Sequence, residues 1–193
     1  MSEEILVNVT PMETRVAVVD NGATQDIHIE RSASRGMVGN IYAGKVVRVL
    51  PGMQAAFVDI GAERTSFIHV SDIHVPGAEN RSRVSDAIGD HLHDGKKVIV
   101  QVTKDPLGSK GARLTTELSV SSRYLVFMPQ SNHVGVSQRI DDAEERERLQ
   151  QLLAQGLEEE SMTGDGGYIL RTAAEGAGLE EIRTDLRFLK RLW

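Results

Sequence analysis

Residues 39–73 read GNIYAGKVVRVLPGMQAAFVDIGAERTSFIHVSDI, and their punctuation decides the fold. Val, Ile and aromatic residues recur in short runs that end at Gly or Pro, the composition of strands closed by tight turns. Residues 40–50 stop at Pro51-Gly52, residues 54–60 stop at Gly61, and residues 65–70 form a third run. Two more follow at 97–103 and 113–116. Five short strands of this kind predict a small Greek-key barrel of the OB type. Residues 71–95, rich in Ser, Gly, Arg and His, are too long for a turn, and 77–85 read as a flexible loop.

Alternation places Phe57 and Asp59 on one face of the second run, and Phe67 and His69 on one face of the third. In OB barrels the second and third strands form the oligonucleotide-binding face. Two rings there suit stacking on unpaired bases, worth roughly 1–3 kcal/mol for each base. Lys110 in the GSKG turn and Lys104 before it can supply phosphate contacts. A Phe in a strand is ordinarily a core residue, so a surface role for this pair needs further support.

Outward from the barrel, residues 4–10, 14–20 and 25–31 read as three strands, with Asn21-Gly22 marking the turn that ends the second. Such a meander is too small to be stable alone. On the other side, residues 123–129 (RYLVFMP) form an apolar strand ending at Pro129. Residues 141–155 read as a helix capped by Asp141 or Asp142, with Leu149, Leu152 and Leu153 as its apolar stripe and Gly156 as its stop. Residues 163–167 (TGDGG) are a turn, 168–172 a strand, and 179–193 a helix running to Trp193. A helix without a stop signal suggests a piece of something longer.

The 193 residues carry a net charge of −6, unevenly spread. Residues 31–48 hold Arg31, Arg35, Lys45 and Arg48 and no acid, while 96–113 hold five cations against Asp105. Residues 141–160 hold eight acids against Arg146 and Arg148. The chain is therefore acidic with two basic stretches, which keeps nucleic acid open as a partner. There are no cysteines, excluding disulfides and thiolate chemistry. No run of about 18 apolar residues exists and the N-terminus lacks signal-peptide character, so a soluble, cytoplasmic protein is expected. His91-x-His93 lacks the spacing of a structural metal site, and Gly108-Ser109-Lys110-Gly111 lacks the full phosphate-loop pattern.

Gly44-x-Val46, then Ala55-Ala56-Phe57-Val58-Asp59-Ile60-Gly61, then Phe67-Ile68-His69-x-Ser71-Asp72 together resemble the S1-type RNA-binding domain. That resemblance implies that Phe57, Phe67 and His69 touch RNA. NVTPMETRVAVVD, DPLGSKGARLTT, SSRYLVFMP and ILRTAAEGAG extend the likeness over the whole chain, to the N-terminal part of the ribonuclease E/G family. The implied fold is mainly β with some α. A five-stranded OB-fold barrel at 37–119 is flanked by an N-terminal meander at 1–36, part of a ribonuclease-H-like subdomain, and a truncated α+β 5′-sensor region at 120–193.

The family likeness matches Arg171 and Thr172 to residues that grip a 5′ monophosphate, Val126 to one that packs on the terminal base, and Arg139 to an electrostatic helper. Gln138 and Ser122 stand where some members have Arg and Gly. The implied parent is a single-strand-specific endoribonuclease of rRNA maturation and mRNA decay. It uses catalytic magnesium and inter-subunit zinc, both held beyond this sequence, so the chain alone is expected to be inactive and to need no cofactor. The expected partner is single-stranded RNA, with a second copy of the chain possible through open strand edges. A stand-alone RNA-binding regulator is the alternative, and an autonomous metal-dependent nuclease a third reading.

Overall fold

A barrel closes between residues 41 and 115. Its strands are β4 (Ile41–Leu50), β5 (Ala55–Asp59), β6 (Ser66–His69), β7 (Lys97–Lys104) and β8 (Arg113–Thr115). They pair in the ring order β4-β5-β6-β8-β7, and β7 returns antiparallel to β4 to complete the closure. The computed structural model describes residues 3–75 and 87–193; the loop expected at 77–85 lies outside the described residues. Closure removes the open strand edges that a five-stranded sheet would expose.

Strand alternation sorts the barrel's side chains. Val46, Val58, Ile68, Val100, Val102 and Leu114 are fully buried. Two glycines permit close approach. A Cβ on Gly44 would meet Val58 Cγ1 at 2.6 Å, and one on Gly111 would meet the Thr65 carbonyl oxygen at 2.0 Å. The barrel's mouth is tied by Asp72, whose carbonyl accepts from Thr116 N–H at 2.9 Å and Thr115 Oγ1 at 2.8 Å. A short helix, α1 (Ile88–His91), which the sequence does not announce, buries Ile88 and donates its N–H to Gln54 Oε1 at 2.9 Å.

Gln101 is a buried polar residue of β7. Its Nε2 donates to the carbonyls of Gly39 and Ser119, at 2.9 and 2.7 Å, and its Oε1 accepts from Ser119 N–H at 2.8 Å. All these polar groups are satisfied, which is the condition for burying them cheaply.

Beyond Ser119 a second sheet forms from β9 (Val120–Ser121), β10 (Leu125–Met128), β11 (Val134–Val136) and β12 (Gly167–Leu170), in the order β11-β12-β10-β9. β11 and β12 run parallel, and β10 is antiparallel to both β12 and β9. Two helices, α2 (Ala143–Glu159) and α3 (Leu179–Leu192), pack on it. Leu125, Phe127, Leu149, Leu153, Leu170, Ile182 and Leu186 belong to one buried cluster. Asp142 caps α2, its Oδ1 accepting from Glu144 N–H at 2.9 Å.

Three expectations need correction. Gly156 does not stop α2, which continues to Glu159. The glycine is buried where α2 meets α3, and a Cβ there would lie 3.2 Å from Leu186 Cδ1. It is a small residue at a helix contact, not a C-cap. The strand expected over 123–129 begins only at Leu125, because 122–125 form the turn from β9. The strand expected over 168–172 ends at Leu170, and Thr172–Ala174 form a 3-10 turn.

Residues 1–37 form a unit of their own. β1 (Glu3–Val9), β2 (Glu13–Asp20) and β3 (Ala23–Arg31) make an antiparallel meander turning at Asn21 and Gly22, both at positive φ. Ile5, Leu6, Val7, Val9, Ile27 and Ile29 are exposed.

Candidate nucleic-acid interface

β5 and β6 carry their aromatic residues outward. Phe57 is 37% exposed and Phe67 is partly exposed, while their neighbours Val58 and Ile68 fill the barrel. Phe57 and Phe67 are direct cross-strand partners, with ring centroids 6.3 Å apart at 65°. An edge-to-face pair leaves ring surface for a third flat partner. His69, also on this face of β6, is fixed by its own turn: Nδ1 lies 2.8 Å from Ser71 Oγ and accepts from Ser71 N–H at 3.2 Å.

Cations frame the rings. Arg48 is the register partner of Phe57, and Arg113 is the partner of Phe67. Arg113 is held by Asp72, its Nε 3.0 Å from Oδ2 and its Nη2 3.2 Å from Oδ1. Lys104 pairs with Arg113 across β7 and β8. Lys110 is exposed on the following loop, pinned by reciprocal backbone bonds with Leu107 at 3.0 and 3.1 Å. Arg48 and Arg113 were passed over in the sequence, where they counted only as charge. The signal that could have found them is register, since each sits beside a Phe only once the strands are paired.

The second cluster lies at one end of the second sheet. There β11 and β12 finish side by side, with Val136 opposite Leu170, and β10 begins with Leu125 opposite Leu170. Ser137 N–H donates to the Leu170 carbonyl at 2.8 Å, extending the parallel pairing. Three chain segments therefore converge, bringing Val126, Arg139 and Arg171 to the same sheet end. Val126 is half-buried, and Arg139, Arg171 and Thr172 are exposed.

Arg171 is anchored twice by the turn before β10. Its N–H donates to the Tyr124 carbonyl at 2.8 Å and its Nη1 to the Ser122 carbonyl at 2.7 Å. Among the described residues no carboxylate pairs with it. A guanidinium has five N–H donors, so four remain for a ligand. Arg123, in the same turn as Ser122 and Tyr124, has its guanidinium 4.9 Å from the Tyr124 ring centre.

The first turns of α2 brace both flanks of this cluster. Arg146 Nη1 donates to the Ser137 carbonyl at 2.7 Å, holding the segment that carries Arg139. Glu145 Oε1 accepts from Gly176 N–H at 2.9 Å, and Arg148 Nη1 donates to the Ala177 carbonyl at 3.0 Å. The Arg148 guanidinium and then the Gly176 N–H hold the Glu145 carboxyl down at about 2. Of the acids at the α2 start, Glu145 is thus a structural tie and Asp142 the cap, while Glu144 and Glu147 are exposed. Among the described residues no group of three or more His, Asp or Glu side chains is placed to hold a metal ion. No helix of the described residues is long and apolar enough to cross a membrane.

An OB-type barrel with a paired aromatic surface among cations defines a nucleic-acid-binding module, and residues 35–115 match the S1 RNA binding domain. Residues 119–193 match the Ribonuclease E/G family. It is 55% identical to Ribonuclease G of Escherichia coli strain K12, over all of this chain and 40% of that protein. It is 53% identical to Ribonuclease G of Haemophilus influenzae, over 98% of this chain and 39% of that protein. Identity to Ribonuclease E of Escherichia coli strain K12 is 37%, over 99% of this chain and 18% of that protein. The chain thus spans about two fifths of the length of these Ribonuclease G relatives.

Proposed function

We propose that this chain is the RNA-binding and 5′-monophosphate-sensing N-terminal part of a single-strand-specific endoribonuclease acting in rRNA maturation and mRNA decay. The observation that carries the reading is the outward Phe57–Phe67 pair on a barrel matching the S1 RNA binding domain. Unpaired bases stack on the two rings, with His69 at their edge, while Lys104 and Lys110 meet phosphates. Duplex RNA hides its base faces, so stacking of this kind selects single strands.

The end of the RNA is read at Arg171 and Thr172. A terminal monophosphate carries about −1.5 to −2 charge and three acceptor oxygens at neutral pH. Arg171 offers a fork of donors, and the Thr172 hydroxyl adds one more. Val126 packs against the terminal base, and Arg139 adds positive potential. A 5′ hydroxyl leaves the guanidinium without its anion. Two weak contacts on one RNA strand reinforce each other, because the second forms at high effective concentration.

Magnesium and zinc belong to the longer protein in this reading. The described residues do not fit either group: no converging donor set exists among them and the sequence has no cysteine.

The test is binding of short single-stranded RNAs bearing a 5′ monophosphate or a 5′ hydroxyl, measured by fluorescence anisotropy, with a duplex control. The chain is expected to prefer the monophosphate, and Arg171→Ala to erase that preference while binding of the hydroxyl RNA persists. Equal affinity for duplex and single strand would remove the stacking reading. A preference that survives Arg171→Ala would move the end-binding site elsewhere and favour a regulator that needs no end recognition.

A further inference from the structure

Asp185 projects from α3 onto the turn that precedes β10. Its Oδ2 accepts from Ser122 Oγ at 2.5 Å, Tyr124 N–H at 2.7 Å and Leu125 N–H at 3.2 Å. Among the described residues no Lys or Arg pairs with it. One carboxylate oxygen therefore gathers three donors of a single turn. A solvated surface acid would not show such geometry, since each bond to an ionised acceptor fixes both distance and direction.

The same turn holds Arg171. The peptide joining Tyr124 and Leu125 is gripped at both ends: Asp185 takes its N–H, and its carbonyl receives the Arg171 N–H at 2.8 Å. Hydrogen bonds in series polarise one another, so the carboxylate strengthens the carbonyl as an acceptor. Two residues earlier, the Ser122 carbonyl takes Arg171 Nη1, and Asp185 fixes the hydroxyl of that same serine.

We propose that Asp185 is a positioning residue of the 5′-phosphate site. It locks the 122–125 turn so that Arg171 presents its remaining donors to the phosphate in one orientation. The Ser122 hydroxyl is occupied by the same lock, donating to Asp185. Nothing in the proposal asks Asp185 to touch RNA. It rests on the reading that Arg171 binds a 5′ monophosphate.

The test compares three substitutions in the full chain. Asp185→Asn keeps an acceptor oxygen in place and loses the charge. Asp185→Glu keeps the charge and displaces the oxygens by a methylene. Asp185→Ala removes all three bonds without adding bulk, and decides the matter if the Glu side chain is not accommodated. The readout is the ratio of affinities for 5′-monophosphate and 5′-hydroxyl RNA. Asn is expected to hold the ratio within about twofold. Glu and Ala are expected to lower it about tenfold, the equivalent of one charged hydrogen bond. Affinity for the hydroxyl RNA stays unchanged in all three, which a purely structural role would not predict.

An unchanged ratio in the Glu and Ala variants, or a larger loss in Asn than in Glu, would overturn the inference. Arg171→Ala is measured alongside. If it keeps the ratio, the phosphate reading fails and the Asp185 role with it. If it loses the ratio while Asp185→Ala keeps it, only the positioning role fails.

Discussion

Phe57 and Phe67 stand directly opposite each other on β5 and β6, edge to face at 6.3 Å, outside a barrel whose interior is aliphatic. Their placement separates stability from binding. Phe57→Ala with Phe67→Ala is expected to weaken single-stranded RNA binding by roughly 2–6 kcal/mol, from two lost base stacks. The loss of their mutual contact costs about 0.5–1.5 kcal/mol of stability, on top of the apolar area the rings bury. Anisotropy titrations and thermal melts of the same samples check both. Unchanged RNA affinity in a folded double variant would refute the assignment.

Lys104 and Lys110 are exposed and lie at either end of the loop joining β7 to β8. Binding is expected to weaken with salt, the log–log slope being about −0.7 for each phosphate contacted on a single strand. Replacing both lysines by Ala is expected to flatten that slope by about 1.4. A slope that does not move would place the phosphates on other cations, Arg48 and Arg113 being next in reach of the rings.

Glu160 joins α2 to α3. It accepts from Arg187 Nη2 at 2.7 Å and Arg183 Nε at 2.8 Å. The Arg187 bond first, then the Arg183 bond, hold its carboxyl at about 2 against an ordinary 4.5. The folded form thus binds this proton less tightly than the unfolded form. The tie is fully present above about 4.5 and fades as pH falls towards 2. Thermal stability is expected to fall over that window, and to fall less steeply in Glu160→Gln, most clearly at low salt. Identical pH profiles would show that the tie contributes nothing.

Gly111 passes so close to the Thr65 carbonyl that no Cβ fits, and it leads directly into the segment where Ala112 O accepts the Phe67 N–H at 2.8 Å. Gly111→Ala is expected to destabilise the barrel by about 1–3 kcal/mol and to shift Phe67, lowering RNA affinity as well. Gly52→Ala, in open space, is the control and should be near neutral. Denaturant melts distinguish the two; equal midpoints would contradict the close approach.

The barrel was legible because its signals are local. Residues 54–60 and 65–70 carry turn residues at their ends and alternate cleanly, and the observed strands fall within them. The second sheet was less so. β9 and β11 are two and three residues long, too short for any periodicity. Gly156 misled because propensity is a weak prior, overridden here by the close passage of α3. For the site, Phe57, Phe67, Arg171 and Val126 could be named from motif and resemblance. Arg48 and Arg113 needed strand register, and Asp185 needed the contact between residues 60 positions and more apart. Long-range juxtaposition leaves no trace in one sequence.

The carboxamide of Gln101 reaches from the barrel strand β7 to both sides of the Ser119 backbone, one residue before the second sheet starts. Splitting the two sheets would break both of these bonds at once. Residues 38–193 should therefore lose structure in a single cooperative step, and Gln101→Leu should resolve that step into two.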